Sequence, residues 1–167
     1  MQFTTQNFEL LGKSVIPGET KTLELNIATL HTMTEMKIPI IVSRSLYDGP
    51  TVLLIAGLHG DELTGIEIVR QTIRRGINYP NCGTIICIPL VNVFGFVNQA
   101  RDFPDGRDLN RVFPGSQNGS LASRFAYRIM QDVIPVVDYV LDFHSGGRGR
   151  FNVPLIRIEP NSEELDA

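Results

Sequence analysis

The heptapeptide TVLLIAG, residues 51–57, narrows the range of folds open to this chain. It is continuously apolar and rich in strand-forming residues, which is typical of an inner strand covered on both faces. A helical pattern of apolar residues follows from Glu62 to about Gly76, and a second apolar run, GTIICIPL at 83–90, predicts the next strand. A strand, a helix and another strand in this order indicate an α/β fold with a mixed, largely parallel sheet.

Further segments on either side extend this pattern. Four have the composition of strands: TLELNI at 22–27, KIPIIVS at 37–43, VDYVLDFHSGG at 137–147 and FNVPLIRI at 151–158. Pro39 places the second of these near a sheet edge, because proline cannot donate to a ladder. Residues 120–134 have helical spacing, with Ser120 as a candidate N-cap. Residues 91–119 lack clean periodicity, and a connection of that length usually has a function.

The length of 167 residues is that of one domain, which can bury a core without disulfides. We expect residues 1–45 to form N-terminal strands, either within the same domain or appended to it. Residues 46–167 then form the main domain, which carries the chemistry described below.

Charge and composition argue against several classes of partner. The net charge of −3 shows none of the basic excess that binding to nucleic acid or to a membrane surface usually requires. The chain has no apolar run long enough for a membrane span, and its first residues lack the pattern of a secretory signal. Cys82 and Cys87 do not form a CxxC site, so we expect reduced thiols and a cytoplasmic protein. The sequence does not predict the oligomeric state.

Titratable side chains lie where two predicted strands end. His59 and Glu62 are three residues apart after the first strand, and His144 ends the later run VLDFH. Zn²⁺ accepts imidazole and carboxylate ligands, and a catalytic zinc site has three protein ligands and one open position. Because ligands bind beyond the carboxyl ends of strands in α/β sheets, the three residues are a candidate metal site. Taken alone, each segment also fits a simpler interpretation, with Glu62 as a favourable charge in a first helical turn.

The loop NQARDFPDGRDLNRVFPG, residues 98–115, is the third unusual segment. Its arginines can bind carboxylates through two parallel hydrogen bonds. A solvated, salt-bridged surface loop is the alternative, and the loop by itself favours that interpretation.

Three motifs together resemble one known family. GLHGDELTG, DLNRVFPG and LDFHSG occur in the order and rough spacing of the succinylglutamate desuccinylase/aspartoacylase family, within the zinc carboxypeptidase-like hydrolases. The resemblance covers about residues 50–147. It implies a three-layer α/β sandwich of the zinc carboxypeptidase type, of which this chain holds a truncated, N-terminal portion.

The resemblance implies a role for each motif residue. The family's H-G-x-E motif binds zinc and falls on His59 and Glu62, and the later histidine ligand falls on His144, which implies one Zn²⁺ per chain. The D-L-N-R motif supplies Asn110 and Arg111, which bind the carboxylate of the substrate in the family.

Two further roles follow from the same motif. Asp108 resembles the acid that orients the first zinc-binding histidine. An arginine shortly before D-L-N-R polarises the scissile carbonyl in the family, and we assign this role to Arg101. Arg107 is the competing candidate, because the intervening loop is longer here than in aspartoacylase.

The resemblance implies a zinc-dependent deacylase, which hydrolyses the amide bond of an N-acyl amino acid or a related small carboxylate. A metallocarboxypeptidase acting on peptides and a non-catalytic, metal-binding half-domain are the alternatives. Family members are longer, and their general-base glutamate follows the third zinc ligand at a distance. The nearby candidates Glu159, Glu163 and Glu164 match no motif, so we expect a fragment that lacks the general base.

Overall fold

The computed structural model describes residues 2–29, 32–33 and 35–158. Its strands are β1 (Phe8–Leu10), β2 (Lys13–Val15), β3 (Thr20–Thr29), β4 (Glu35–Arg44), β5 (Thr51–Ala56), β6 (Thr84–Ile88) and β7 (Tyr139–Phe143). Its helices are α1 (Leu63–Arg74), α2 (Val93–Asn98) and α3 (Leu121–Asp132), and 3-10 turns lie at Leu109–Arg111 and Ile134–Val136. Glu159, Glu163 and Glu164 lie outside the described residues.

A mixed sheet with strand order β3-β4-β6-β5-β7 forms the centre of the fold. β5 pairs in parallel with both β6 and β7, whereas β4 pairs antiparallel with β3 and β6. The predicted mixed sheet is therefore confirmed, although half of its pairings are antiparallel rather than most of them parallel. β1 and β2 form a separate antiparallel hairpin.

Alternation along β5 divides the core into two layers. Leu53 and Ile55 point into the larger apolar cluster, which contains Phe125 of α3. Leu54 and Ala56 contact the smaller cluster on the other face, which contains Val69 of α1. Side chains alternate between the faces of a strand, so the two clusters cover most of β5 from both faces. The result is the predicted three-layer α/β sandwich.

Strands from the first 45 residues join the same sheet. β3 and β4 continue it beyond β6, so the sheet does not begin at β5. Pro39 lies in the part of β4 that pairs with β3 only, since the β4 ladder to β6 is restricted to Ile41–Arg44. β4 is thus the second strand of the sheet, near its edge as predicted, and Pro39 has a paired neighbour on one side only.

Two local predictions differ from the structure. Residues 91–119 were predicted as irregular, but they contain α2, which is too short to produce a clear helical period. Residues 151–158 were predicted as a strand, yet they have no regular structure and are exposed. A strand needs a hydrogen-bonded neighbour, and no described strand pairs with them.

The helices in the described part of the chain are short, and none has the length and apolarity needed to cross a membrane.

Candidate metal centre

The loop after β5 is shaped by two glycines. Gly57 has a φ of +70°, which glycine adopts without strain, and a Cβ there would lie 2.8 Å from Leu90 Cδ1. Gly60 is required for space instead, because a Cβ there would lie 1.8 Å from the carbonyl carbon of Gly95 in α2. The backbone N–H of Asn92 donates to the Gly57 carbonyl over 2.8 Å. These contacts fix the loop that carries His59 at the carboxyl end of β5.

His59, Glu62 and His144 converge at this end of the sheet. His59 Nδ1 lies 2.8 Å from Glu62 Oε1, His144 Nδ1 lies 3.1 Å from Glu62 Oε2, and the two Nδ1 atoms are 3.2 Å apart. One ligand atom from each residue fits within 4.8 Å of the others. Parallel pairing of β5 with β7 causes the convergence, because both strands end at the same edge.

Each histidine has its outer nitrogen held by an aspartate. His59 Nε2 lies 3.0 Å from Asp108 Oδ1, and His144 Nε2 lies 2.8 Å from Asp142 Oδ2. An imidazole whose Nε2–H donates to a carboxylate presents the lone pair of Nδ1, which is the form that binds a metal. Two imidazole nitrogens and one carboxylate are a donor set that suits Zn²⁺ better than the all-oxygen sites of Mg²⁺ or Ca²⁺. The residues therefore fit a zinc ion, and their role as its ligands remains a prediction.

Burial and charge distinguish the three side chains. His59 and Glu62 are almost completely buried, at 2% and 4% exposure, whereas a third of the His144 side chain is exposed. Burial opposes ionisation of Glu62, but hydrogen bonds from His144, His59 and the Ser145 N–H outweigh it and lower the pKa of Glu62. Hydrogen bonds to Asp142 and Glu62 raise the pKa of His144 to about 10. In this protonated form Nδ1 of His144 donates to the ionised carboxylate of Glu62, and a metal ion that binds there displaces the Nδ1 proton.

Arg101 lies beside this cluster, whereas Arg107 does not. Its Nη1 donates to Glu62 Oε1 over 3.1 Å, and its Nε and Nη2 donate to Asp108 Oδ2 over 3.2 and 3.0 Å. Despite the opposing effect of burial, hydrogen bonds from His59 and Arg101 lower the pKa of Asp108. Arg107 instead lies 3.8 Å from Asp105, and its side chain is largely exposed. Of the two candidate arginines, Arg101 therefore contacts the cluster and Arg107 does not.

Asn110 and Arg111 lie at the rim of the site. Arg111 Nε is 3.5 Å from Asp108 Oδ2, and 83% of its side chain is exposed. Asp108 also accepts the backbone N–H of Asn110 over 3.0 Å, which sets the turn that carries both residues. The arginine does not pair with a distant surface carboxylate, so its guanidinium remains available at the mouth of the site.

Two residues of the site were missed by the sequence analysis. Asp142 has a readable signal, since the spacing D-x-H in a strand places both side chains on one face. Asn92 has no such signal. Its amide donates to the carbonyls of Arg101 and Asp102 over 3.4 and 3.1 Å, and its Oδ1 accepts from Gly95 N, which fixes the Arg101 loop against α2.

Asp61, between the ligands in sequence, caps no helix. The N-cap of α1 is Glu62, which makes no side-chain capping bond. The Asp61 carboxylate packs against Gly147 and lies 3.9 Å from Arg148 Nε. Asp61 therefore connects the loop after β5, which carries His59, with the loop that follows His144.

Comparison with known families gives one match that covers most of the chain. Residues 48–167 match the family described as the succinylglutamate desuccinylase/aspartoacylase catalytic domain. This match confirms the resemblance that the three motifs indicated.

Individual relatives agree with the family match. The N-alpha-acetyl-L-2,4-diaminobutyric acid deacetylase of Halomonas elongata is 39% identical over 109 residues, which cover 65% of this chain and 32% of that protein. An aspartoacylase family protein from Mesorhizobium loti is 35% identical, with a TM-score of 0.67 over 77% of this chain and 41% of that one. A succinylglutamate desuccinylase/aspartoacylase from Rhodobacter sphaeroides is 30% identical, with a TM-score of 0.69 over 77% and 40%.

These structural matches confirm the predicted zinc carboxypeptidase-like fold class. The chain spans about a third of the length of the curated relative and about two fifths of each solved structure.

Proposed function

The chain belongs to the succinylglutamate desuccinylase/aspartoacylase family, and from this membership we propose that it is part of a zinc-dependent hydrolase of N-acyl amino acids. One observation carries the proposal: His59, Glu62 and His144 meet at one point, and each histidine turns Nδ1 inward. Residues 46–167 are proposed as the portion that holds the site. We also propose a cytoplasmic location, which the free state of Cys82 and Cys87 supports.

Each residue around the cluster has a separate role in the proposed hydrolysis. When bound, zinc polarises the acyl oxygen and lowers the pKa of a water. The guanidinium of Arg101 stabilises the negative charge that develops on the acyl oxygen as the amide carbon becomes tetrahedral. Its contact with Glu62 places it at hydrogen-bonding distance from the ligand set. Asp108 holds both His59 and Arg101, so it aligns the metal ligand and the oxyanion donor through a single carboxylate.

The proposed substrate class rests on two side chains at the rim of the site, Asn110 and Arg111. Arg111 offers a planar, permanently charged group that matches a carboxylate, and Asn110 adds an amide on the same turn. A free carboxylate next to the scissile amide describes an N-acyl amino acid. The Halomonas elongata relative, named as a deacetylase of an N-acetyl amino acid, supports this class.

The metal part of the proposal is tested by zinc content. The purified chain, dialysed after saturation with zinc, should contain about one zinc per chain by atomic absorption, since it supplies three ligands. His59→Ala should abolish this zinc, because it removes an almost completely buried ligand from the centre of the cluster. Arg111→Ala is the matched control and should leave the zinc content unchanged. Zinc-free wild-type protein under these conditions would rule out the metal site.

The catalytic part is tested by release of free amine from N-acetyl amino acids. General-base catalysis needs a group within about 3 Å of the attacking water, or one water further away. The carboxylates that contact the histidines in the described part of the chain are Glu62, Asp108 and Asp142, and each is already engaged there. We therefore expect the 167-residue chain to bind zinc and to hydrolyse these substrates negligibly.

The longest natural form of the protein should be active in the same assay, and Arg101→Ala should lower its kcat far more than Arg107→Ala. Robust turnover by the isolated chain would show that the base lies within its 167 residues. Equal effects of the two arginine variants would contradict the assignment of Arg101.

A further inference from the structure

The two aspartates that contact the histidines of the cluster differ in how many other groups they bind. Asp108, which holds His59, also accepts hydrogen bonds from Arg101 and from the Asn110 backbone. Asp142 contacts His144, the one hydrogen-bond partner that the described residues offer it. Nδ1 of His144 faces Glu62 and His59, and its outer nitrogen Nε2 is held by the Asp142 carboxylate alone.

We propose that Asp142 is a positioning residue of the metal centre: its carboxylate orients His144 so that Nδ1 faces a divalent metal ion. The proposal rests on the proposed function, because it requires that the cluster binds zinc. It assigns Asp142 no contact with the metal or the substrate.

The strand geometry supports this role. Asp142 pairs with Ile55 in the parallel ladder between β7 and β5, so its backbone is fixed by the sheet. Phe143 points to the face covered by α1, where it packs in the apolar cluster of Val69. Residues two apart in a strand share a face, so Asp142 and His144 both point away from that cluster. His144 itself lies just beyond the end of β7, where the ladder no longer restrains it.

Exposure makes the restraint necessary. His59 is buried and its ring is fixed by surrounding atoms, whereas a third of the His144 side chain is exposed. An exposed imidazole can rotate about two side-chain bonds and can exchange its proton between the two nitrogens. The 2.8 Å contact from Nε2 to Asp142 Oδ2 selects one rotamer and one protonated nitrogen. Loss of such a partner typically weakens metal affinity about 10–100-fold.

The test measures zinc affinity of the whole chain by competition with a chromophoric chelator. Asp142→Ala should weaken zinc binding about 10–100-fold relative to wild type. Asp142→Asn should weaken it less, because the amide oxygen still accepts the Nε2–H bond without the charge. The stoichiometry should stay at about one zinc, since all three ligands remain.

Cobalt(II) substitution supplies a second readout that a general loss of stability would not alter. The visible absorption bands of bound cobalt report ligand geometry, and Asp142→Ala should shift or broaden them. Asp138→Ala is the matched control, because Asp138 precedes β7 and its Oδ2 accepts the Thr51 N–H over 2.7 Å, away from the cluster. This variant should lower thermal stability and leave both the zinc affinity and the cobalt spectrum as in wild type.

The outcomes separate the two proposals. Wild-type affinity and an unchanged cobalt spectrum in Asp142→Ala would overturn the role of Asp142, while one zinc per wild-type chain would still support the metal site. An equal loss of affinity in Asp138→Ala would also overturn it, because any damage to β7 would then suffice. A wild-type chain that binds neither zinc nor cobalt would overturn both.

Discussion

The substitution Gly60→Ala tests how the packing of α2 supports the metal centre. Gly60 lies between His59 and Glu62, and an added Cβ would lie 1.8 Å from the carbonyl carbon of Gly95 and 2.1 Å from the nitrogen of Phe96. Both atoms belong to the backbone, so no side chain can rotate away. To reach ordinary contact at 3.4 Å, the loop and α2 must separate by about 1.6 Å.

This geometry allows an estimate of how much Gly60→Ala lowers the free energy of unfolding. Overpacking typically costs about 1–3 kcal/mol, and a clash with backbone belongs at the upper end of that range. Replacing glycine by alanine otherwise stabilises by about 0.4–1 kcal/mol through the unfolded chain. We expect a net loss of about 2–2.6 kcal/mol, which lowers Tm by about 4–10 °C in a domain of this size.

Zinc affinity should fall together with stability. A displaced loop moves His59 relative to Glu62 and His144, so competition with a chelator should report weaker zinc binding. Gly106→Ala is the control, because Gly106 has a φ of +75° and no atom within 4 Å of an added Cβ. Its backbone strain should lower stability without a clash against α2, so it should leave zinc affinity unchanged. Equal stability of Gly60→Ala and wild type would refute the packing argument.

Three smaller predictions concern the two faces of the sheet. Ser120→Ala removes the oxygen that accepts the Ser123 N–H over 3.3 Å and should cost about 1 kcal/mol by urea unfolding, whereas no loss would show that α3 needs no cap. Phe125→Ala empties a fully buried position and should cost about 3–5 kcal/mol, so a loss below 1 kcal/mol by the same method would contradict its place in the core. Burial raises the pKa of Cys87 to about 12, so its thiol stays protonated and should not react with Ellman's reagent at pH 8 until the chain is denatured. Partly exposed Cys82 should react in the native protein, and labelling of both thiols there would contradict the burial of Cys87.

The sequence predicted those parts of the fold whose pattern is local and long. β5, β6, α1 and α3 each carry a clear apolar period or an uninterrupted apolar run. The grouping of His59, Glu62 and His144 was predictable because both ligand segments directly follow strands. Parallel strands have their carboxyl ends at one edge of the sheet, so residues that directly follow two such strands lie close together.

Elements that depend on distant partners were not predictable in this way. β1 and β2 have three residues each, which is too short for an alternating pattern to stand out. Residues 151–158 have strand composition, but composition does not supply a neighbour. The D-x-H spacing shows only that Asp142 and His144 share a face, and their contact at Nε2 appears once β7 and the following turn are in place.

The exposure of β7 has a practical consequence for handling the protein. β7 pairs with β5 on one side, no described strand covers its other side, and Tyr139, Val140 and Leu141 are about half exposed. An uncovered apolar edge of this kind is a template for strand addition between molecules, and lysine or proline usually protects it. The YVLDF sequence has neither, so Asp142 is its one charged residue. The carboxylate that we propose orients His144 is also the one charge that opposes strand addition at this edge, so variants at this position need dilute solutions and a check by light scattering.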